Sequence, residues 1–211
     1  MPVERRPDLS LFLDILKTLE RIDAPYMVIG AFAGTVYGIT RVTYDIDIVV
    51  DLADFHINML SEAYPLPRYY ADPEMIRNSI QMGIMFNIID TDQGEKADLV
   101  PLSGTLEYRP AFRRRVRQLV EIPGAEPFEI WCARPEDVIG GKLMAWKEGR
   151  SRKHEMDIFE MMVFHYLKAE SGESQMNDAD IDRRALELGE ETNRFWQGIK
   201  ADAMKNSGKS K

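Results

Sequence analysis

The sequence predicts an α+β protein: a short mixed β-sheet flanked by helices, followed by a helical C-terminal part. Three observations carry that expectation. Apolar runs of strand length, separated by turn chemistry, recur through about residue 133. Helical periodicity opens the chain and returns between those runs. From Pro135 onward the patterns are helical throughout. The organisation that follows is a core at 1–133, a helical part at 134–200 and a disordered tail at 201–211.

Taken in order, Leu9, Phe12, Leu13, Leu16 and Leu19 recur at helical spacing behind Asp8, a suitable N-cap, which predicts a helix over 8–22. Pro25 ends the link, and Tyr26 to Ile29 is a short apolar strand. Gly30 then suits a tight turn into a short helix. Ile46 to Val50 is the next strand, and Ala53 to Ala63 a helix closed by Pro65 and Pro67. Met85 to Ile89 and Ala97 to Leu102 read as strands around the hairpin chemistry of Asp-Thr-Asp-Gln-Gly-Glu-Lys. Gln118 to Ile122 and Phe128 to Cys132 read as two more, with Pro123-Gly124 between them. Pro135 opens a helix through Lys147, with proline and the acids Glu136 and Asp137 favourable in a first turn. Gly149 breaks it, Arg152 to Lys168 forms a second helix, and 178–198 a third helical stretch.

Bulk properties narrow the function classes. With 211 residues and 45% apolar content, a packed core is expected. A net charge of −8 argues against broad adhesion to nucleic acid or anionic membrane. Cys132 is the single cysteine, so an intramolecular disulfide is excluded, and His56, His154 and His165 are too scattered to suggest a thiol-based zinc site. The start Met-Pro-Val-Glu-Arg-Arg-Pro-Asp has no apolar signal region, and no apolar run is long enough to span a bilayer. A cytoplasmic setting without membrane attachment is the expectation.

The chemistry concentrates at Arg41-Val-Thr-Tyr-Asp-Ile-Asp-Ile-Val-Val. Strand alternation projects Asp45 and Asp47 from one face, about 7 Å apart. Two ionised carboxylates so placed repel each other, and a divalent cation relieves the repulsion. Mg²⁺ suits hard oxygen donors and keeps substrate phosphates in its shell. The bland alternative is an edge strand with two solvated acids. Upstream, Gly30 follows an apolar strand and precedes a helix, a geometry in which backbone N–H groups can approach phosphate. Downstream, Asp98 stands in the apolar run Ala97-Asp-Leu-Val, where a third carboxylate would serve two-metal phosphoryl chemistry. Its alternative is a strand-edge acid beside Lys96.

Val28-Ile-Gly-Ala-Phe-Ala, then Gly38-Ile-Thr-Arg-Val-Thr-Tyr-Asp-Ile-Asp-Ile-Val-Val, resembles the signature of the polymerase-β-like nucleotidyltransferase superfamily. That signature is a strand ending in Gly-Gly or Gly-Ser, a helix, then two alternating aspartates on the next strand. Ala31 departs from it by replacing the second Gly or Ser, which leaves the backbone N–H but no hydroxyl for a phosphate. Arg134-Pro-Glu-Asp-Val-Ile-Gly-Gly-Lys-Leu, with Asp157 fifteen residues after Lys142, resembles the closing segment of the AbiEii and MenT toxin nucleotidyltransferases.

The resemblance implies a nucleotidyltransferase fold and transfer of a nucleoside monophosphate from a triphosphate to an acceptor, with release of pyrophosphate. Asp45, Asp47 and Asp98 are its implied ligands for two Mg²⁺ ions, with Mn²⁺ an alternative. Asp98 would also accept the acceptor's proton. Gly30, Ala31, Arg41, Thr43 and Lys142 are implied nucleotide contacts, and Asp157 would orient Lys142 or a nucleotide hydroxyl. The acceptor is a tRNA, a protein or a small molecule, and a toxin would bring an antitoxin protein as partner. The alternatives are a catalytically degenerate nucleotide- or partner-binding module of the same fold, and a metal-dependent phosphohydrolase or nuclease. On the residues alone, Lys142 could be a solvated helix lysine and Asp157 an i,i+4 partner of Lys153. His154 reads as an exposed helix histidine, and Met161, Met162, Phe164 and Tyr166 as helix core. The five arginines of 109–117 read as a solvated face or the rim for an acidic acceptor.

Overall fold

The computed structural model describes residues 9–43, 45–121, 126–170 and 176–208. It divides into two compact units, Met1–Phe32 with Val42–Cys132, and Ala33–Arg41 with Ala133–Lys211. The expected N-cap Asp8, the turn at Pro123-Gly124 and the last three residues of the tail lie outside the described residues.

The first unit is built on strands β1 (Tyr26–Ile29), β2 (Ile46–Val50), β3 (Tyr69–Tyr70), β4 (Phe86–Asp90), β5 (Glu95–Pro101), β6 (Val116–Val120) and β7 (Phe128–Cys132). They form one sheet in the order β3-β4-β5-β2-β1-β7-β6. The sheet is mixed: β2 runs parallel to β5 and β1 to β7, while the other neighbours are antiparallel. β2 and β5 are therefore interior strands with partners on both sides. Ile46, Ile48, Ala97 and Leu99 are fully buried, and burying each isoleucine contributes roughly 1.5–3 kcal/mol. This corrects the edge-strand alternative for Asp45, Asp47 and Asp98. An acid in the middle of a sheet is costly unless something compensates it.

Helix α1 (Ser10–Arg21) buries the stripe Phe12, Ile15, Leu16 and Leu19 and packs against β5. Its N-cap position is Leu9, so apolar burial rather than a capping side chain holds its start. Helix α2 (Gly30–Val36) follows β1 directly, and α3 (Asp54–Ala63) precedes the Pro65 and Pro67 break. A segment to which the sequence analysis assigns no element is α4 (Pro73–Met82). The Asp72 carboxylate accepts from Met75 N at 2.8 Å, Pro73 sits in the first turn, and Gly83 closes the helix in the left-handed region at φ 67°. A Cβ on Gly83 would stand 2.5 Å from Gly104 Cα, so glycine is needed where two backbone segments touch. A 3-10 turn (Leu106–Tyr108) leads into α5 (Arg109–Arg113).

The second unit packs α6 (Pro135–Gly149), α7 (Arg152–Glu170), α8 (Asp178–Leu188) and α9 (Glu190–Asn206), with Ala33–Arg41 belonging to it. Ile139, Leu143, Ile158, Met161, Met162, Ile181 and Trp196 are among its fully buried side chains. Tyr166 is buried beside them and Phe164 half-buried, as expected for core of a helix. Two expectations change here. The third helical stretch is two helices, because Gly189 at φ 115° turns the chain between Leu188 and Glu190. Residues 201–206 are not a disordered tail but the last turns of α9, where Ala203 is buried. Among the described residues no helix is long and apolar enough to cross a membrane.

Candidate active site

The register of the central strands sets out the acids. Asp47 on β2 stands abreast of Asp98 on β5, and Asn87 on β4 stands abreast of Asp98 on its other side. Ile29, the last residue of β1, is the partner of Asp47. Residues abreast in a sheet share a face, so Asp47, Asp98 and Asn87 form one row across three strands. Asp45 precedes β2 by one residue and is exposed, while Asp47 is half-buried and the Asp98 side chain is 14% exposed. The Thr43 hydroxyl donates to Asp45 O at 3.1 Å, fixing the backbone just before the strand rather than reaching outward.

Gly30 ties the turn after β1 to this row. Its φ is +70°, and a Cβ placed on it would lie 2.2 Å from Asp47 Oδ2. The position therefore needs glycine twice over, for its left-handed backbone and for the closeness of the carboxylate. Ala31, the second residue of α2, is half-buried. Gly30→Ala is expected to cost about 1–2 kcal/mol of stability from the left-handed backbone. It should also swing the Asp47 carboxylate away, so activity falls by more than the stability loss accounts for. Thermal unfolding and transfer rates measured on the same preparation check this.

Asp98 is heavily engaged. It accepts a hydrogen bond from Asn87 Nδ2, and Lys96 Nζ lies 3.0 and 3.2 Å from its two oxygens. The hydrogen bond from Lys96 to Asp98 raises the Lys96 ammonium above its ordinary range, against burial, and the charges of Asp98, Asp45 and Asp47 add to it. All three acids thus act on one lysine. Tyr108 is pushed up chiefly by burial and then by the charge of Asp47. Asp45, Asp47 and Asp98 supply the hard oxygen set that Mg²⁺ prefers, so the donor chemistry fits that ion. Among the described residues, however, no three acidic, histidine or cysteine side chains are gathered closely enough to ligate a metal as they stand.

The second unit carries a separate charged cluster. Asp157, 1% exposed, accepts from Arg41 Nε at 2.6 Å and Nη2 at 2.8 Å and from Lys142 Nζ at 2.6 Å. Two cations share one carboxylate, which leaves a net positive charge. Burial pushes the Asp157 carboxyl up, but the hydrogen bonds from Arg41 and Lys142 outweigh it and hold the group below the usual carboxylate range. For Lys142, 6% exposed, burial outweighs the pair and the ammonium is pushed down. The two partners respond unequally, and the carboxylate governs the cluster because it answers to two donors at once. The i,i+4 pairing of Asp157 with Lys153 is replaced by these contacts, and Lys142 is not a solvated lysine. Thr40 N and Oγ1 donate to Glu160, which anchors the residue before Arg41.

Of the two glycines before Lys142, Gly140 has a packing reason: a Cβ there would meet Arg184 Nη1 at 2.7 Å, and Arg184 pairs with Asp137 at 2.6 Å. Around Gly141 the space is open among the described residues. Leu143 is buried, and Trp146 stacks on Phe195 with ring centroids 3.6 Å apart. His154 is half-buried rather than exposed, and burial followed by the Lys142 charge pushes its pKa down, which favours the neutral ring. In the arginine-rich stretch, Arg115 lies over the rings of Phe112 and Trp131, and Arg117 pairs with Glu20, whereas Arg109 and Arg113 are exposed.

The sequence reading missed Asn87 and named Lys96 only as the neighbour of Asp98. Both had a signal. Lys96 and Asp98 are two apart on one strand and must share a face, and Asn87 is the one polar residue in the expected strand Met85 to Ile89.

No family model matches the chain, and no curated protein matches it. Among solved structures it is similar to JHP933 from Helicobacter pylori at 16% identity and a TM-score of 0.43, over 94% of this chain and 93% of that one. It is similar to the antibiotic-resistance factor ANT(2'')-Ia at 14% identity and a TM-score of 0.40, over 95% and 92%. A candidate nucleotidyltransferase from H. pylori aligns at 15% identity and a TM-score of 0.37, over 93% and 94%. Each likeness runs along nearly the whole of both chains.

Proposed function

We propose that the chain is a Mg²⁺-dependent nucleotidyltransferase that moves a nucleoside monophosphate from a nucleoside triphosphate to an acceptor hydroxyl. One observation carries the reading. Gly30 brings bare backbone against the Asp47 carboxylate, at the strand level where Asp98 stands abreast on the neighbouring strand. Two acids abreast on interior strands, one of them already held by Lys96 and Asn87, beside a glycine that keeps the backbone open, are the set that metal-assisted chemistry on phosphate uses.

On this reading Asp45, Asp47 and Asp98 would hold Mg²⁺, which would supply charge neutralisation for the triphosphate. Asp98 accepts the proton that the acceptor hydroxyl gives up as it attacks the α-phosphorus, and pyrophosphate leaves. Backbone N–H groups at Gly30 and Ala31 are suited to phosphate oxygens. Arg41 and Lys142, both paired with Asp157, are the nucleotide contacts that the resemblance implies, and Thr43 fixes the loop that carries Asp45. Catalysis is then mainly positioning and charge neutralisation. The acceptor is a tRNA, a protein or a small molecule; a toxin of the AbiEii or MenT kind would also have an antitoxin protein as partner.

The test is incubation with each α-labelled triphosphate, Mg²⁺ and cell extract, followed by separation of RNA, protein and small molecules. Transfer of label with stoichiometric pyrophosphate is the expected result. Triphosphate binding without transfer would point to the degenerate binding module, and phosphodiester cleavage without pyrophosphate to a nuclease.

A further inference from the structure

We propose that Lys96 is the resident counter-cation of the acid face: its ammonium holds Asp98 until a divalent ion displaces it, so Lys96 sets how tightly that ion binds. The inference rests on the metal-binding role proposed above for Asp45, Asp47 and Asp98.

The geometry is specific. Lys96 Nζ spans both oxygens of Asp98 at 3.0 and 3.2 Å, and Oδ1 also accepts from Asn87. A carboxylate offers about four lone-pair sites, so these contacts use most of what a metal would need from Asp98. Lys96 and Asp98 share a face by strand alternation, and the pairing of Ile46 with Ala97 places Asp45, one residue earlier, level with Lys96. The lysine is therefore set beside the same acids that would receive the metal.

Two features make the arrangement reversible. Lysine is a compact point charge on a flexible stem, and this side chain is 48% exposed, so it can swing into water without disturbing the core. A pair that open to solvent is weak, and a divalent cation can outcompete it. Without any cation the three carboxylates would repel one another across the centre of the sheet. Lys96 thus gives the metal-free protein a neutralised face and gives the metal a competitor.

The experiment is a Mn²⁺ titration of the full chain, followed by calorimetry and by the paramagnetic signal of free Mn²⁺. It compares the wild type with Lys96→Gln, Lys96→Met and Lys96→Arg. Both neutral variants are expected to bind Mn²⁺ about fivefold more tightly, and Lys96→Arg to match the wild type. Unchanged or weaker binding in the neutral variants would overturn the inference while leaving the metal site standing. Tighter binding in Lys96→Arg would also overturn it, because shape rather than charge would then be responsible. If neither the wild type nor the variants bind Mn²⁺, the inference falls together with the metal-binding role.

Discussion

Asp47→Asn is expected to slow nucleotide transfer by about a thousandfold while leaving the fold intact. The substitution keeps shape and size, so the close approach to Gly30 survives, but one carboxylate charge is lost from the row that Asp47 forms with Asp98. Metal-assisted charge stabilisation contributes several kcal/mol, and about 4 kcal/mol corresponds to roughly that rate factor. In metal-free buffer the variant should melt at or above the wild-type temperature, since a like charge has been removed from beside Asp45 and Asp98. Steady-state transfer of label and thermal unfolding with and without Mg²⁺ read both effects. Retained activity within a factor of ten, or marked destabilisation without metal, would make Asp47 a structural residue.

Asp157→Asn carries the largest expected change in stability. Its carboxylate is buried and shared by Arg41 and Lys142, so neutralising it strands a buried ammonium next to a guanidinium. Removing one partner of a buried ion pair costs about 3–5 kcal/mol. Lys142→Met in the same chain should recover part of that, because the buried cation goes while the partly exposed Arg41 can still reach water. The acid limb supplies the sign. Asp157 titrates below its ordinary value of 3.8 in the folded state. Its stabilisation is therefore fully present above pH 3.8 and is lost as pH falls through the folded value. Urea unfolding as a function of pH should show the gap between wild type and Asp157→Asn narrowing in acid. A gap that stays constant would mean the cost comes from packing rather than charge.

What was legible in the sequence was the arrangement governed by short-range rules. Alternation placed Asp45 and Asp47 on one face, and turn chemistry placed Gly30 at a strand end. An apolar run marked the strand of Asp98, although its alignment with Asp47 is a long-range pairing that no local pattern encodes. Helix α4 escaped although its signals were all present: an Asp72 cap, Pro73 in the first turn, a Gly83 stop and an amphipathic pattern that buries Ile76 and Ser79. The division of 178–206 into two helices turned on Gly189, which looks like any tolerated helix glycine until its left-handed backbone is seen. The sharing of Asp157 by Arg41 and Lys142 joins residues 116 and 15 positions apart. Spacing alone could suggest the nearer partner and gives no hint of the farther one.

The excursion of Ala33–Arg41 into the second unit bears on how this protein can change over evolutionary time. The two units are not successive stretches of chain: the first is interrupted by nine residues that belong with the second. Thr40 is anchored by Glu160, Arg41 by Asp157, and a Cβ on Gly38 would meet the Phe164 side chain at 2.4 Å. A recombination event that exchanged everything after Cys132 would bring in a new residue 157 and a new residue 164, yet keep the old Gly38 and Arg41. The incoming helices would then meet a loop shaped for other partners, with an arginine lacking its carboxylate. The helical half is therefore not a cassette. It can be inherited only along with a short segment lying nearly a hundred residues upstream, and lineages of this fold should vary by substitution within both pieces together rather than by shuffling one of them.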